Sequence, residues 1–229
     1  TSGLRPLRSF DLRFPVLASN DARAKTLFDN AYGTGQSGWT TILDLIDPRG
    51  VGAPVAGMSV VVIGYGDVGR GCARFGAALG ARVTVVEVDP VRALQASMDG
   101  FTVASMEEAT PGAGMLISAT GERATIPLSA LEAAPAGAIV TVAGGVDGEV
   151  SIDEAVASSW VMAESGDPHV QTLASPSGKT LHVLEHGEGL NYTAGEGNPI
   201  EIMDMRFGVQ LASLRELLPR QGELTPGVH

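Results

Sequence analysis

The sequence predicts an α/β fold: a doubly wound parallel sheet with short helices before it and a long helix at its C-terminal end. Three features of the sequence lead to this prediction. Runs of β-branched residues alternate with helical stretches from Met58 onward, a glycine-rich turn joins the first run to a helix, and the C-terminal segment carries an apolar repeat at helical spacing. Strands that alternate with helices form βαβ units, and these build a parallel sheet.

The composition is that of a globular chain, and it argues against some classes of binding partner. Hydrophobic residues make up 44% of the 229 residues, charged residues make up 18%, and the formal net charge is −11. This acidic excess, without any Lys/Arg-rich run, argues against nucleic acid as a partner. No apolar run has the length of a membrane span, and a single cysteine, Cys72, fits a reducing compartment. We therefore expect a cytoplasmic protein that acts on a small molecule, with neither nucleic acid nor a membrane as partner.

Residues 1–50 are expected to form an N-terminal unit, made of an irregular arm and two short helices. Asn20 or Asp21 can cap the first helix, and Ser37 can cap the second. On the first helix Lys25 and Asp29 are four residues apart, so their side chains share one face. Such a pair by itself is most often a solvated surface pair that contributes little.

Residues 51–195 are expected to form the central α/β unit, which a Gly- and Pro-rich loop at 47–57 precedes. Its apolar runs are typical of strands that are covered on both faces. Asp89 followed by Pro90 predicts a helix start, with the aspartate as N-cap and the proline at the first helical position. The predicted strands are MSVVVI (58–63), RVTVVEV (82–88), GMLISA (114–119), AIVTVAG (138–144), SWVMAES (159–165), HVQTLA (169–174) and TLHVLE (180–185), and helices are expected near 105–109 and 127–134.

The stretch VVVIGYGDVGRG places Gly64, Gly66 and Gly69 in G-x-G-x-x-G spacing, directly after a buried strand and before a helix. That context distinguishes a dinucleotide-binding turn from a chance spacing in a glycine-rich chain. Gly64 permits the tight turn, Gly66 lets the backbone approach a pyrophosphate, and Gly69 lets helix and strand pack closely. The pyrophosphate would lie on the free N–H groups at the helix start. The central unit is therefore predicted to be Rossmann-like.

Glu87 indicates which dinucleotide this turn would bind. It ends the second predicted strand, where an acidic side chain accepts hydrogen bonds from the hydroxyls of the adenosine ribose. A 2′-phosphate would meet the carboxylate as a like charge, so NAD is favoured over NADP. The alternative is a structural glycine turn followed by an unrelated glutamate.

Residues 196–229 are expected to form a long C-terminal helix that packs back on the protein or lies at a subunit interface. Asn198 is the predicted cap, and Pro199 follows it. An apolar stripe along this helix is typical of a core or a subunit interface rather than of a cofactor site. The stripe consists of Met203, Phe207, Leu211, Leu214 and Leu218.

Several long stretches resemble the cofactor domain of the S-adenosylhomocysteine hydrolase family. They are FPVLASNDARAKTLFDNAYGTGQS (14–37), VVVIGYGDVGRGCA (60–73), GARVTVVEVDPVRALQASMDGF (80–101) and ISATG (117–121). The likeness is dense from Phe14 to Glu149 and returns at GLN (189–191) and PGVH (226–229). The resemblance implies a tightly held NAD that is reduced and reoxidised within each turnover at a hydroxyl of the substrate ribose, with elimination and addition of water in between.

The resemblance also implies roles for individual residues. Lys25 and Asp29 match the family's lysine and aspartate at the ribose hydroxyls, so Lys25 would be the base or hydrogen-bond partner of the hydroxyl that is oxidised. Asn20 and Asn30 match neighbouring catalytic-site residues. The cofactor-binding residues implied by the turn, the acidic residue and the resemblance are Gly64, Gly66, Asp67, Val68, Gly69, Glu87, Val88, Thr120, Gly121, Gly144 and Asn191.

The chain also departs from the family pattern. The family's N-x-G-H-F-D reads VAGGVD (142–147) here, so Val142 replaces the asparagine and Gly145 replaces the histidine. The histidine of a later G-H-P motif is Asn198, and the given sequence includes neither the family's N-terminal substrate domain nor its C-terminal tail. The hydride-transfer residues are thus largely present, and the residues for elimination are largely replaced.

Two functions stay open at the level of the sequence. The first is an NAD-dependent oxidoreductase that acts, even if only transiently, on a secondary hydroxyl of a nucleoside-like or small specialised metabolite. The second is a non-catalytic NAD-binding subunit that acts with a separate substrate-binding protein. A homo-oligomer is expected, most simply a dimer. The four histidines show no metal-ligand spacing, so no metal is expected.

Overall fold

The computed structural model describes residues 4–47, 55–220 and 222–229. Its strands are β1 (Pro15–Val16), β2 (Ser59–Ile63), β3 (Arg82–Val86), β4 (Thr102–Val103), β5 (Met115–Ser118), β6 (Ile139–Val142), β7 (Val161–Glu164), β8 (Val170–Ala174), β9 (Thr180–Leu184) and β10 (Gly227–Val228). Its α-helices are α1 (Leu4–Ser9), α2 (Arg23–Lys25), α3 (Gly35–Ile46), α4 (Asp67–Ala78), α5 (Pro90–Met98), α6 (Met106–Ala109), α7 (Leu128–Ala133), α8 (Ile152–Ala157), α9 (Leu190–Thr193) and α10 (Ile200–Leu217).

The central sheet has eight strands in the order β4-β3-β2-β5-β6-β9-β8-β7. The strands from β4 to β9 in this order pair in parallel, whereas β8 pairs antiparallel with both β9 and β7. The chain winds outward from β2 to β3 and β4, and then returns to place β5 on the other side of β2. This arrangement confirms the prediction of a doubly wound, Rossmann-like sheet with a long C-terminal helix, and it adds an antiparallel extension at one edge.

The run SVVVI of β2 shows why the central strands are continuously apolar. Val60 and Val62 pack into a core on one face of the sheet, together with Trp39 of α3. Val61 and Ile63 pack into a second core on the opposite face. Since side chains alternate between the faces of a strand, a strand covered on both sides needs an apolar residue at every position.

The two helices predicted before the sheet are one continuous helical segment. A 3₁₀ turn (Ser19–Asp21) and α2 lead into a π-helical stretch at Thr26–Thr34, and this continues directly into α3. The prediction of Ser37 as a helix cap is therefore wrong, because Ser37 lies inside α3 and its hydroxyl donates to Asn198 Oδ1 at 2.8 Å.

The continuous helical segment before the sheet packs closely against α4. A Cβ on Gly71 of α4 would lie 2.1 Å from the carbonyl oxygen of Ala31, and one on Gly35 would lie 2.8 Å from the backbone of Gly71. Glycines thus let the two helices touch backbone to backbone. This contact between distant parts of the chain overrides the local cap signal at Ser37.

Helix α10 differs from its prediction in two ways. Asn198 does not cap it, because α10 begins at Ile200 and Pro199 occupies the cap position. The Asn198 amide instead donates to Asp29 Oδ1 at 2.9 Å. Of the two places predicted for the apolar stripe, the core is wrong, since no residue of α10 is buried and Leu211 of the stripe is 67% exposed, and the subunit interface stays a prediction. The reason is the orientation of the helix. Its polar face, with Arg206 and Gln210, lines the cleft described below, so the apolar face points outward.

Other predictions about organisation have mixed outcomes. Asp89 caps α5, accepting from the backbone N–H groups of Val91 and Arg92, which confirms that helix start. The boundary predicted between residues 50 and 51, and most of the loop predicted at 47–57, lie outside the described residues. The division into three parts therefore stays a prediction. Within the described ranges, no helix is long and apolar enough to cross a membrane.

Candidate functional site

A cleft of about 630 Å³ opens at the carboxyl ends of β2, β5 and β6. This is the point where the winding of the sheet reverses, and α/β sheets bind ligands there. The main parts of the chain that line the cleft are the helical segment from Ser19 to Thr34, the glycine turn with the start of α4, the loops after β5 and β6, and the polar face of α10, and Arg92 of α5 and Tyr192 of α9 add single side chains. The cleft therefore joins segments that are far apart in the sequence.

The glycine turn has the geometry that its spacing predicts. Gly64 has a φ of 92°, a conformation that glycine adopts without strain. A Cβ on Gly69 would lie 1.9 Å from the Gly64 carbonyl oxygen, so only glycine lets α4 pack this closely on the turn. Gly66, Asp67 and Val68 line the cleft at the N-terminus of α4. Free N–H groups at this end of the helix fit a phosphate group.

Glu87 follows β3 directly and is held against the glycine turn. One carboxylate oxygen accepts from the Tyr65 N–H at 2.6 Å, and the other accepts from the N–H groups of Val88 and Asp89 at 2.8 and 2.9 Å. Three backbone donors thus fix the carboxylate. The Val88 side chain is 97% exposed at the rim of this region and is outside the cleft lining.

Lys25 and Asp29 form a buried pair, not a surface pair. Lys25 Nζ lies 2.7 Å from Asp29 Oδ2 and donates to Asn30 Oδ1 at 2.6 Å. Lys25 is 7% exposed and Asp29 is 1% exposed. Lys25 and Asn30 both line the cleft, and Asn20 lines it from the 3₁₀ turn. Three of the four residues predicted as catalytic therefore line the cleft, and the fourth, Asp29, is buried beside Lys25.

Two further groups hold Asp29 from the C-terminal part of the chain. Its Oδ1 accepts from Asn198 Nδ2, and Arg206 Nη1 of α10 lies 3.9 Å away. Asn198 in turn accepts from the Ser37 hydroxyl. The asparagine that replaces the family's later histidine is thus a neutral donor that orients Asp29.

Asn191 carries an observation that fits the carboxamide end of NAD. It is completely buried, and neither its amide nitrogen nor its amide oxygen has a hydrogen-bond partner among the described residues. Asn191 itself is outside the cleft lining and lies behind it: a Cβ on Gly144, which lines the cleft, would lie 3.7 Å from Asn191 Oδ1. Leaving such a group unpaired costs roughly 1–3 kcal/mol, so a bound amide would remove a penalty. The residues present fit a nicotinamide dinucleotide.

The loops after β5 and β6 contribute Thr120, Gly121 and Gly144 to the cleft. The space beside Gly145, where the family carries its histidine, is filled. A Cβ at this position would lie 1.8 Å from Glu149 Oε1. Val142, which occupies the position of the family's asparagine, is the last residue of β6 and is buried in the apolar core on one face of the sheet.

Several residues of this region were missed by reasoning from the sequence, namely Thr34, Arg92, Glu149, Tyr192, Arg206 and Gln210. Arg206 and Gln210 carried a usable signal, because two polar residues four apart mark one face of a helix. The others carried none in the local pattern. Cys72 of α4 is buried, and burial raises the pKa of its thiol to about 12. Across the described part of the chain, no group of three or more His, Cys, Asp or Glu residues could hold a metal ion.

Comparison with solved structures shows proteins with a similar fold. The A chain of dipicolinate synthase from Bacillus subtilis superposes with a TM-score of 0.54 at 16% identity, covering 87% of this chain and 56% of that one. An L-alanine dehydrogenase gives a TM-score of 0.56 at 18% identity, covering 86% and 55%. At these identities the likeness shows the fold alone.

Sequence relatives are more informative. Adenosylhomocysteinase from Thermotoga maritima is 40% identical over all of this chain and 56% of its own length, and the enzyme of that name from Thermococcus kodakarensis is 41% identical over 54% of its length. S-inosyl-L-homocysteine hydrolase from Methanopyrus kandleri is 40% identical over 95% of this chain and 50% of its own. The chain thus spans about half the length of the curated relatives it matches.

A family model covers most of the site described above. The model for the NAD-binding domain of S-adenosyl-L-homocysteine hydrolase matches residues 30–197, which include the glycine turn, Glu87, both loops and Asn191. Its cofactor, NAD, is the one that the turn and the acidic residue predict. By this match and by its relatives, the chain belongs to the S-adenosyl-L-homocysteine hydrolase NAD-binding-domain family.

Proposed function

We propose that this chain is the cofactor-binding part of an NAD-dependent enzyme that oxidises a secondary hydroxyl of a nucleoside-like substrate within its turnover. The observation that carries the proposal is the position of the Lys25–Asp29 pair. Lys25 of this buried pair lines the same cleft as the glycine turn and the loops that match an NAD-binding domain. A proton-accepting group and a cofactor site in one cleft are what oxidation of an alcohol requires.

In this proposal the residues of the chain have distinct tasks. Lys25 Nζ takes the proton of the substrate hydroxyl, and Asp29 and Asn30 hold this nitrogen in place. Asn198 and Arg206 keep Asp29 oriented from the opposite wall. Bound NAD supplies the acceptor for the hydrogen and two electrons that leave the substrate carbon. Asn20 also lines the cleft, and in this proposal it contacts the substrate.

A second candidate function rests on the loop after β6. Here Glu149 fills the space beside Gly145, so this loop presents no side-chain acid or base at the position of the family's histidine. A chain with this loop could bind NAD for a separate substrate-binding protein that supplies the missing groups. In that case NAD would bind to the isolated chain, and no alcohol would reduce it without the partner.

The two candidates are separated by the fluorescence of NADH. We would add S-adenosylhomocysteine, S-inosylhomocysteine, adenosine and inosine to the NAD-loaded chain, since the relatives' names point to the first two compounds. The enzyme proposal expects NADH fluorescence to appear with at least one of them. If no NADH appears with any of the four compounds, although the chain demonstrably binds NAD, the result would favour the second candidate, a chain that binds NAD for a separate substrate-binding protein.

Self-association is a further prediction, because α10 presents an unburied apolar stripe. Phe207 is 46% exposed, Leu211 is 67% exposed and Leu218 is 56% exposed. We expect light scattering to show a homodimer at micromolar concentration, and Leu211→Glu to convert it to a monomer. Val91→Glu, at a similarly exposed apolar residue of α5, is the matched control and should leave the mass unchanged. A monomeric unmodified chain would contradict the prediction. The cytoplasmic location also stays a prediction.

A further inference from the structure

Glu149 is a carboxylate with no solvent exposure, and it lies beneath the loops that follow β5 and β6. Its Oε2 accepts from the Ser118 hydroxyl, from the Thr120 hydroxyl at 3.0 Å and from the Thr120 N–H at 3.4 Å. Its Oε1 accepts from the N–H groups of Gly121 and Val146 at 3.1 and 3.0 Å. One side chain therefore ties together two separate loops.

The charge of this group is held without a cation. No lysine, arginine or histidine of the described ranges forms an ion pair with Glu149. An ionised group that is buried without enough hydrogen bonds carries a large desolvation cost. Five donors that converge on two oxygens offset this cost, and all five point inward at the carboxylate. The three backbone N–H donors lose this partner if the carboxylate is removed, whereas the Ser118 and Thr120 hydroxyls also lie within hydrogen-bond distance of the Thr125 hydroxyl.

The tied loops are the walls of one half of the cofactor cleft. Thr120 and Gly121 line the cleft after β5, and Gly144 and Gly145 line it after β6. The orphaned carboxamide of Asn191 lies beside Gly144 in this same half. The other half, around the glycine turn and Glu87, is fixed by separate backbone hydrogen bonds that do not involve Glu149.

We propose that Glu149 is a positioning residue for the nicotinamide half of the cofactor. Its carboxylate sets the separation of the loops after β5 and β6, and it acts on the cofactor through them rather than by touching it. The proposal rests on the proposed function, since it takes NAD to span the cleft from Glu87 to Asn191. It separates two tasks within one site: the glycine turn and Glu87 bind the adenosine half, and Glu149 shapes the space for the other half.

The test compares two ligands, NAD and AMP, because AMP reaches only the adenosine half. We would measure both affinities by calorimetry for the unmodified chain and for Glu149→Gln, which keeps the shape but turns an amide N–H₂ toward the loop donors. The expected result is a loss of about tenfold or more in NAD affinity, as follows from one buried donor left without its partner, with AMP affinity unchanged. Thermal unfolding of each variant would be recorded alongside.

Two control variants show whether a loss of NAD affinity with unchanged AMP affinity is specific to Glu149. Glu87→Gln should weaken NAD and AMP together, because that side chain belongs to the adenosine half. Glu185→Gln changes another buried carboxylate, one that pairs with His169 outside the cleft lining, and should change neither affinity. If Glu149→Gln does not fold, Ser118→Ala removes one donor beneath the cleft and should show the same split, more weakly.

The outcomes are distinguishable. Equal losses of NAD and AMP affinity in Glu149→Gln, or no loss of either, would overturn the positioning role and leave the proposed function standing. Failure of the unmodified chain to bind either ligand would overturn both. A split confined to NAD, shared by Ser118→Ala and absent from Glu185→Gln, would establish the role.

Discussion

Lys25→Ala is expected to bind NAD as well as the unmodified chain does, and to reduce it about 10²- to 10⁴-fold more slowly with a substrate alcohol. The substitution removes the amine that would take the hydroxyl proton, but it leaves the glycine turn and Glu87 untouched. The other lysine of the sequence, Lys179, donates to the Leu131 carbonyl outside the cleft lining and so does not replace Lys25. The measurement is single-turnover formation of NADH, followed by fluorescence.

A matched variant separates proton transfer from charge pairing. Lys25→Arg keeps a cation beside Asp29, but a guanidinium does not give up its proton under these conditions. If Lys25 acts as the base, this variant should be nearly as slow as Lys25→Ala. Recovery of most of the rate in Lys25→Arg would show that Lys25 acts only by hydrogen bonding. NADH formation by Lys25→Ala at the unmodified rate would remove Lys25 from the mechanism.

Gly69→Ala is expected to abolish detectable NAD binding, although it adds a single methyl group. The new Cβ would lie 1.9 Å from the Gly64 carbonyl oxygen and 2.8 Å from its carbonyl carbon. Both contacts are to backbone, so α4 and the glycine turn must move apart. The N–H groups at the start of α4 would then leave the position at which they can bind a pyrophosphate. Calorimetric titration with NAD measures the loss.

Gly208→Ala provides the control for this substitution. Gly208 lies within α10, and a Cβ there meets nothing within 4 Å. Alanine in a helix interior is favoured over glycine by about 0.8–1.0 kcal/mol, so this variant should resist urea slightly better and bind NAD normally. Unchanged NAD affinity in Gly69→Ala would show that the glycine turn does not hold the cofactor as proposed.

The sequence by itself determined the central architecture and one end of the site. The run SVVVI identified a strand buried on both faces, because two-sided burial requires an apolar residue at every position. Asp89 and Pro90 located the start of α5, since a cap depends only on neighbouring backbone groups. The spacing of Gly64, Gly66 and Gly69 likewise reflects local contacts between a turn and the helix that follows it. All of these signals act over a few residues.

The tertiary structure alone decided which polar groups meet and which faces are covered. Asn198 reads as a helix cap, yet it donates to Asp29, 169 positions earlier in the sequence. Glu149 reads as a loop acid, yet five donors from two loops bury it completely. The stripe on α10 predicts an apolar face but not its direction, and the face that turned inward is the polar one with Arg206. Periodicity fixes which residues share a face, whereas the partner of that face is set by segments far away in the chain, through packing and hydrogen bonds that no local pattern encodes.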